Sequence, residues 1–217
     1  MMPGRLTPLV NGEIYHLFNR GSDKRDIFLE YRDYLRFKQT LYYYHFLGPK
    51  PRFSHFPKYQ YSSIRTELKD KIVEIICYCL MPNHFHLLVR QLKDNGISKF
   101  ISQISNSYTK YFNTKYRRVG PLLQGLFKAV RVESDEQLIH LSRYIHLNPV
   151  VSLLVKRLRQ YPWSSYPEYA NNYQELCSTE LILNLFPSKK EYVQFLEDQI
   201  DYGKQLELIK HQVIEEL

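Results

Sequence analysis

Lys71-Ile-Val-Glu-Ile-Ile-Cys-Tyr-Cys-Leu80, Met81-Pro82-Asn83 and His84-Phe-His-Leu-Leu-Val-Arg90 together decide the fold. The first stretch is rich in β-branched residues and reads as a buried strand. The tripeptide is a turn, and the last stretch is a second strand, so the two form a hairpin. Upstream, Glu13-Ile-Tyr-His-Leu-Phe-Asn-Arg-Gly21 alternates well enough to be a strand that ends at a glycine turn. From Tyr31 to about Phe46 the apolar residues Tyr34, Leu35, Phe37, Leu41 and Tyr44 keep helical spacing. Residues 48–63 carry three prolines and read as a long loop.

Downstream of the hairpin, Asn95-Gly96 interrupts the chain. Ile97 to about Tyr116 is then an amphipathic helix, with Phe100, Ile101, Ile104, Tyr108 and Tyr111 near one face. Gly120-Pro121 is a turn, and Gln124 to Val132 reads as a strand. Ser134 with Gln137 three residues on marks a capped helix start. That helix is expected to run to about Leu147, because Pro149 disfavours helix at Asn148. The first six elements follow the order βαββαβ, which predicts an α+β, ferredoxin-like sandwich with an antiparallel central sheet. Residues 1–170 would form this domain. Residues 171–217 would be a C-terminal helical extension, whose acidic end reverses the sign of the body.

The chain has 217 residues, with 44% apolar and 24% charged, which excludes wholesale disorder. No apolar stretch approaches the ~18 residues that suggest a membrane span, and no membrane partner is expected. The N-terminal residues show no secretory h-region, and three cysteines make no disulfide framework, so a cytoplasmic location is expected. Net charge is +8, and 15% of the residues are aromatic. Cations hold phosphates and rings stack on unpaired bases, so a nucleic acid is a natural partner. A mildly basic protein whose tyrosines simply pack has the same composition.

Three groups of residues carry candidate chemistry. His84 and His86 are two apart in a strand and share a face, so both imidazoles can converge on one divalent ion. The plainer alternative is two histidines on an exposed strand face. Tyr144 and Asn148 are four apart and share a helical face, which offers a nucleophile and a hard oxygen ligand. Alternatively, Tyr144 packs in the core and Asn148 caps the helix. From Ile97 to Val132 the seven cations Lys99, Lys110, Lys115, Arg117, Arg118, Lys128 and Arg131 occur without one Asp or Glu. Tyr108, Tyr111, Phe112, Tyr116 and Phe127 are interleaved, as on a phosphate-tracking surface with stacking rings. A solvated helix face is the other reading.

Leu80-Met-Pro-Asn-His-Phe-His-Leu-Leu-Val89 resembles the His-hydrophobe-His strand of the single-tyrosine HUH transposases. Tyr144-Ile-His-Leu-Asn-Pro-Val150 resembles the signature of their REP-associated subgroup. Tyr15-His-Leu-Phe-Asn-Arg-Gly21 and Gly120-Pro-Leu-Leu-Gln-Gly-Leu-Phe-Lys-Ala129 fall where that subgroup has comparable segments. The likeness covers roughly residues 10–167. It departs at Leu126, where relatives often carry Arg. It implies that His84, His86 and Asn148 hold Mg²⁺ or Mn²⁺, and that Tyr144 attacks a DNA phosphate to leave a 5′-phosphotyrosine. It further implies single-stranded or hairpin DNA as the partner, which the cation run fits; the expected DNA contacts are Arg20 and Gln124 of the matched segments with Lys110, Lys115, Arg117, Arg118, Lys128 and Arg131 of that run. The subgroup implies a monomer, whereas the wider family is often dimeric. Three other readings stay open: a non-catalytic hairpin-binding module, a water-using phosphodiesterase, and a basic structural protein.

Overall fold

The computed structural model describes residues 8–47, 53, 70–171 and 173–205. Four strands, β1 (Ile14–Arg20), β2 (Val73–Met81), β3 (His84–Gln91) and β4 (Lys128–Arg131), form one sheet in the order β2-β3-β1-β4. Every neighbouring pair is antiparallel. Helix α1 (Tyr31–Tyr44) joins β1 to β2, and α2 (Gly96–Lys115) joins β3 to β4. The result is an α+β fold, broadly ferredoxin-like. The expected 48–63 loop lies outside the described residues, apart from Phe53.

The hairpin turn is fixed by its surroundings. Met81 pairs with His84, leaving Pro82 and Asn83 at the bend. The N–H groups of Ile27 and Phe28 donate to the Pro82 carbonyl (2.8 and 3.0 Å), and Gly21 N–H donates to that of Asn83 (2.8 Å). A side chain at Gly21 would put Cβ 2.2 Å from the Arg25 carbonyl oxygen, so only glycine lets β1 leave the sheet at this point. These bonds tie the exit of β1 to the start of β3.

Both faces of the sheet are covered, which is why β2 is apolar and buried without a break from Ile75 to Met81. One face buries Tyr15, Leu17, Phe85 and Leu87 against Phe37 and Leu41 of α1 and Phe100, Ile104 and Tyr108 of α2. A register shift in β2 between Ile75 and Cys77 puts Ile76, Cys77, Cys79 and Met81 on the other face. Helix α3 (Asp135–Val151) covers that face through Ile145, Leu147 and Val150. The three short helices α4 (Tyr166–Ala170), α5 (Glu180–Leu183) and α6 (Lys189–Glu197) add Tyr169, Ile182, Tyr192 and Leu196. Glu168 Oε2 accepts from the N–H groups of Glu175, Leu176 and Cys177 (2.8–2.9 Å), and Ser178 N–H donates to the Ile75 carbonyl (2.9 Å). The chain beyond residue 171 is thereby pinned along β2. Among the described residues no helix is long and apolar enough to cross a membrane.

Two expected boundaries move. The strand expected over 124–132 shortens to Lys128–Arg131, because Gly125 takes a left-handed φ of +46° that a strand does not tolerate. Helix α3 does not stop at Leu147 but continues through Pro149 to Val151. Pro149 forfeits only the bond to the Ile145 carbonyl. Burial of Pro149 and Val150, with Ser152 N–H donating to the Asn148 carbonyl (2.9 Å), holds the last turn.

Asp33, fully buried in the first turn of α1, is the polar anchor of the first face. It accepts from Lys115 Nζ (2.5 Å), Tyr116 (2.7 Å), Tyr111 (3.0 Å) and the Leu29 N–H (3.0 Å). Burial alone would raise its pKa; these donors outweigh burial and hold it below the usual value. The Asp33→Ala variant leaves the Tyr111 and Tyr116 hydroxyls without their carboxylate acceptor and Lys115 with Glu30 alone, and should cost about 2 kcal/mol. Urea unfolding at neutral pH measures this, and a loss below 0.5 kcal/mol (about the scatter of surface substitutions) would contradict it.

Candidate active site

The β1/β3 register assembles the site. Phe18 lies opposite His86 and Arg20 opposite His84, so residues 16, 18 and 20 share a face with both histidines. The His84 and His86 rings are 4.9 Å apart and perpendicular. His84 Nδ1 donates to Asn83 Oδ1 (2.6 Å), which leaves its Nε2 free of a proton in the neutral ring. His16 Nε2 and His86 Nδ1 lie 2.9 Å apart and share one hydrogen bond. His86 Nε2 is buried and has no hydrogen-bond partner.

Helix α3 lays Tyr144 over these rings. Its ring meets His86 edge-on at 5.4 Å and His16 at 6.1 Å. Tyr144 is 51% exposed, so it does not pack in the core; it opens to solvent. One turn on, Asn148 Nδ2 donates to the Tyr144 carbonyl (2.8 Å), which uses the amide nitrogen and not the oxygen a metal would take. Among the described residues no group of three or more His, Cys, Asp or Glu is disposed to hold a metal. A set of two histidines and a carboxamide is a different donor combination.

Burial depresses the three imidazoles. His16 is lowered to about 4 by burial, and His84 to about 4 by burial and then by the charge of Arg20. His86 is held well below its ordinary value by burial and then by its two histidine neighbours. All three rings are neutral near pH 7, the form in which imidazole binds metals.

A cleft of about 1030 Å³ opens over the rings and is lined by His84, His86, Tyr144 and Asn148. Arg20, Gln124 and Lys128 line it too, as do Leu126, Tyr202 and Lys204. Arg143 of α3 also lines it, whereas the other cations expected to contact DNA lie elsewhere. Lys115 is bound to Asp33 and to Glu30 (2.7 Å). Arg131 pairs with Glu13 (2.8 Å), and Arg118 donates to Asn113 Oδ1 (2.8 Å). Lys110 is exposed on α2, which packs on the opposite face of the sheet, and Arg117 is exposed just beyond that helix. The interleaved rings do not form a stacking surface: Tyr108 and Phe112 are core residues, and Tyr111 and Tyr116 bond Asp33.

Sequence reasoning did not single out His16. Its face could be read from the alternation of β1, but its meeting with His86 depends on a register set by a strand seventy residues away.

Residues 38–148 match the family described as "Transposase IS200 like". The matched span runs from α1 through most of α3 and contains both histidines of β3, Tyr144 and Asn148. The chain belongs to this family of transposases. Among solved structures it is similar to "Structure of the REP associates tyrosine transposase bound to a REP hairpin". The TM-score is 0.52 at 15% identity, over 77% of this chain and 84% of that one. At that identity the likeness is one of fold. No curated protein matches the chain.

The buried imidazoles make stability pH-dependent. In the unfolded chain His16 takes up a proton near pH 6.5, whereas in the fold it stays neutral down to about 4. Between those limits the unfolded state binds more protons, so stability falls as pH drops from about 6.5 to about 4, by up to roughly 3 kcal/mol for this group. The His16→Gln variant should flatten the pH dependence of the urea midpoint in that window. An unaltered slope would contradict a buried, neutral His16.

Proposed function

We propose that the chain is a REP-associated tyrosine transposase: a metal-dependent endonuclease and strand transferase acting on single-stranded DNA beside hairpins. The observation that carries the reading is Tyr144, edge-on to His86 whose buried Nε2 lacks a partner, within one cleft. An orphaned imidazole nitrogen beside a second histidine fits a divalent cation. His84, His86 and Asn148 would hold Mg²⁺ or Mn²⁺. When bound, the ion polarises a non-bridging phosphate oxygen and offsets charge in the transition state.

The chain's own residues supply the rest. Arg20, Gln124 and Lys128 line the cleft and track the DNA backbone. The Tyr144 oxygen attacks phosphorus and forms a 5′-phosphotyrosine. The bond to the 3′ oxygen breaks, and the phenol's proton ends on the released 3′-OH. The covalent link keeps the energy of the phosphodiester for rejoining, which suits strand transfer. The similar structure is of a protein bound to a REP hairpin, which supports the same class of DNA here. Leu126, exposed in the cleft where relatives often carry Arg, favours a different DNA contact at that point.

The test is cleavage of a hairpin-flanked oligonucleotide in Mg²⁺, with adducts resolved on a denaturing gel. Tyr144→Phe should bind with near wild-type affinity yet give neither nick nor adduct. His86→Ala should bind but not cut, and Asn148→Ala should lose less, because water can replace one ligand. Nicking by Tyr144→Phe without an adduct would favour hydrolysis by water. Absence of nicking in the wild type would favour a binding module.

Binding has its own signature. Replacing both Arg20 and Lys128 with Ala should lower the slope of log K against log salt by about 1.4, at ~0.7 per phosphate contact. Arg131→Ala, already paired with Glu13, should leave the slope unchanged. The opposite pattern would move the DNA off this cleft.

A further inference from the structure

His16 has no role in the reaction as proposed, yet it lies against the residue on which that reaction turns. Its ring lies nearly parallel to that of His86, with centroids 5.1 Å apart and interplanar angle 25°, and the nitrogens meet at 2.9 Å. A neutral imidazole carries one N–H and one bare nitrogen, so one hydrogen bond decides which is which. If His86 Nδ1 donates to His16 Nε2, the lone pair of His86 is left on Nε2. That is the buried nitrogen without a partner. Phe18, 6.0 Å from His86 by ring centroids, and the Tyr144 edge then keep the ring from turning.

We infer that His16 is a positioning residue: by accepting from His86 Nδ1 it fixes the tautomer and orientation in which His86 Nε2 faces a divalent cation. The inference rests on the metal reading above and deepens it. A group that holds a ligand by its second ring nitrogen typically changes metal affinity 10- to 100-fold when removed. His84 has an equivalent in Asn83, which accepts from its Nδ1. Each histidine of the pair thus has its own acceptor, one from the turn and one from β1.

The experiment uses the full chain, labelled with ¹⁵N-histidine, as wild type, His16→Leu, His16→Gln and His86→Ala. Long-range ¹H–¹⁵N spectra of the metal-free protein should show His86 as the Nδ1–H tautomer in wild type. The same tautomer should persist in His16→Gln, whose amide oxygen can accept, and give way to a mixture in His16→Leu. Titration with Mn²⁺, followed by the spin-resonance signal of the free ion, should give a Kd raised about 10- to 100-fold in His16→Leu and largely restored in His16→Gln. Circular dichroism confirms that each variant is folded. An Nε2–H tautomer of His86 in wild type would overturn the inference, as would wild-type Mn²⁺ affinity in His16→Leu. Loss in His16→Leu as complete as in His86→Ala, with no recovery in His16→Gln, would make His16 a ligand and also overturn it. Wild-type Mn²⁺ binding by His86→Ala would instead bring down the metal reading itself.

Discussion

The antiparallel register of β1 on β3 is the constraint on which the rest depends. Side chains alternate with a period of two, so a slip of one residue would send His16, Phe18 and Arg20 to the opposite face. That face holds Tyr15 and Leu17 under α1 and α2, and charged or polar groups there would lack partners. The bonds from Gly21, Ile27 and Phe28 to the Pro82-Asn83 turn lock the register at one end. At the other, Gly12 N–H donates to the Gln91 carbonyl (2.7 Å), and Gln91 N–H to that of Glu13 (3.0 Å). Hydrophobic packing and backbone pairing thus specify the same arrangement, and the histidines are set by both.

The second determinant is the seat of α3. His146, on the buried side of that helix, bonds Tyr192 through Nδ1 (2.8 Å) and Ser165 through Nε2 (2.8 Å). Ser165 Oγ in turn accepts from the Tyr78 N–H of β2 (2.9 Å). The helix bearing Tyr144 is therefore coupled to the sheet and to α6 by one imidazole, which burial keeps neutral down to about 3. Polar networks that are fully satisfied fix orientation as well as position, which Tyr144 would need in the nucleophilic role proposed for it. The C-terminal segment is structural here in a plain sense: it supplies Tyr192 to that network and Tyr202 and Lys204 to the rim of the cleft.

Much of this was legible in the sequence, and the reason is locality. The hairpin, the two long helices and the Ser134 cap are written in short-range spacing, and Ser134 Oγ does accept from the Gln137 N–H (3.1 Å). The same-face placement of His84 with His86 follows from the period of a strand, and that of Tyr144 with Asn148 from the period of a helix. What was not legible depends on distant partners. The acid-free run from Ile97 to Val132 reads as one basic surface, but Lys115 and Arg131 meet Asp33 and Glu13 from elsewhere in the chain. The tyrosines of α2 read as stacking rings, yet Tyr108 donates to the Ile27 carbonyl (2.5 Å) inside the core. The passage of α3 through Pro149 rests on burial, which local propensity does not contain.

The central claim is that one tyrosine, over the histidine pair, takes the phosphate. Tyr202 lines the same cleft and is 59% exposed, so proximity to the cleft alone does not choose between them. The direct measurement is mass-spectrometric mapping of the peptide that carries the 5′-phosphate after wild-type protein is trapped on a hairpin-flanked strand. The account predicts a single modified peptide containing Tyr144. A phosphate on Tyr202, on Tyr108 or Tyr111 of α2, or on Tyr116 just beyond it, would contradict it.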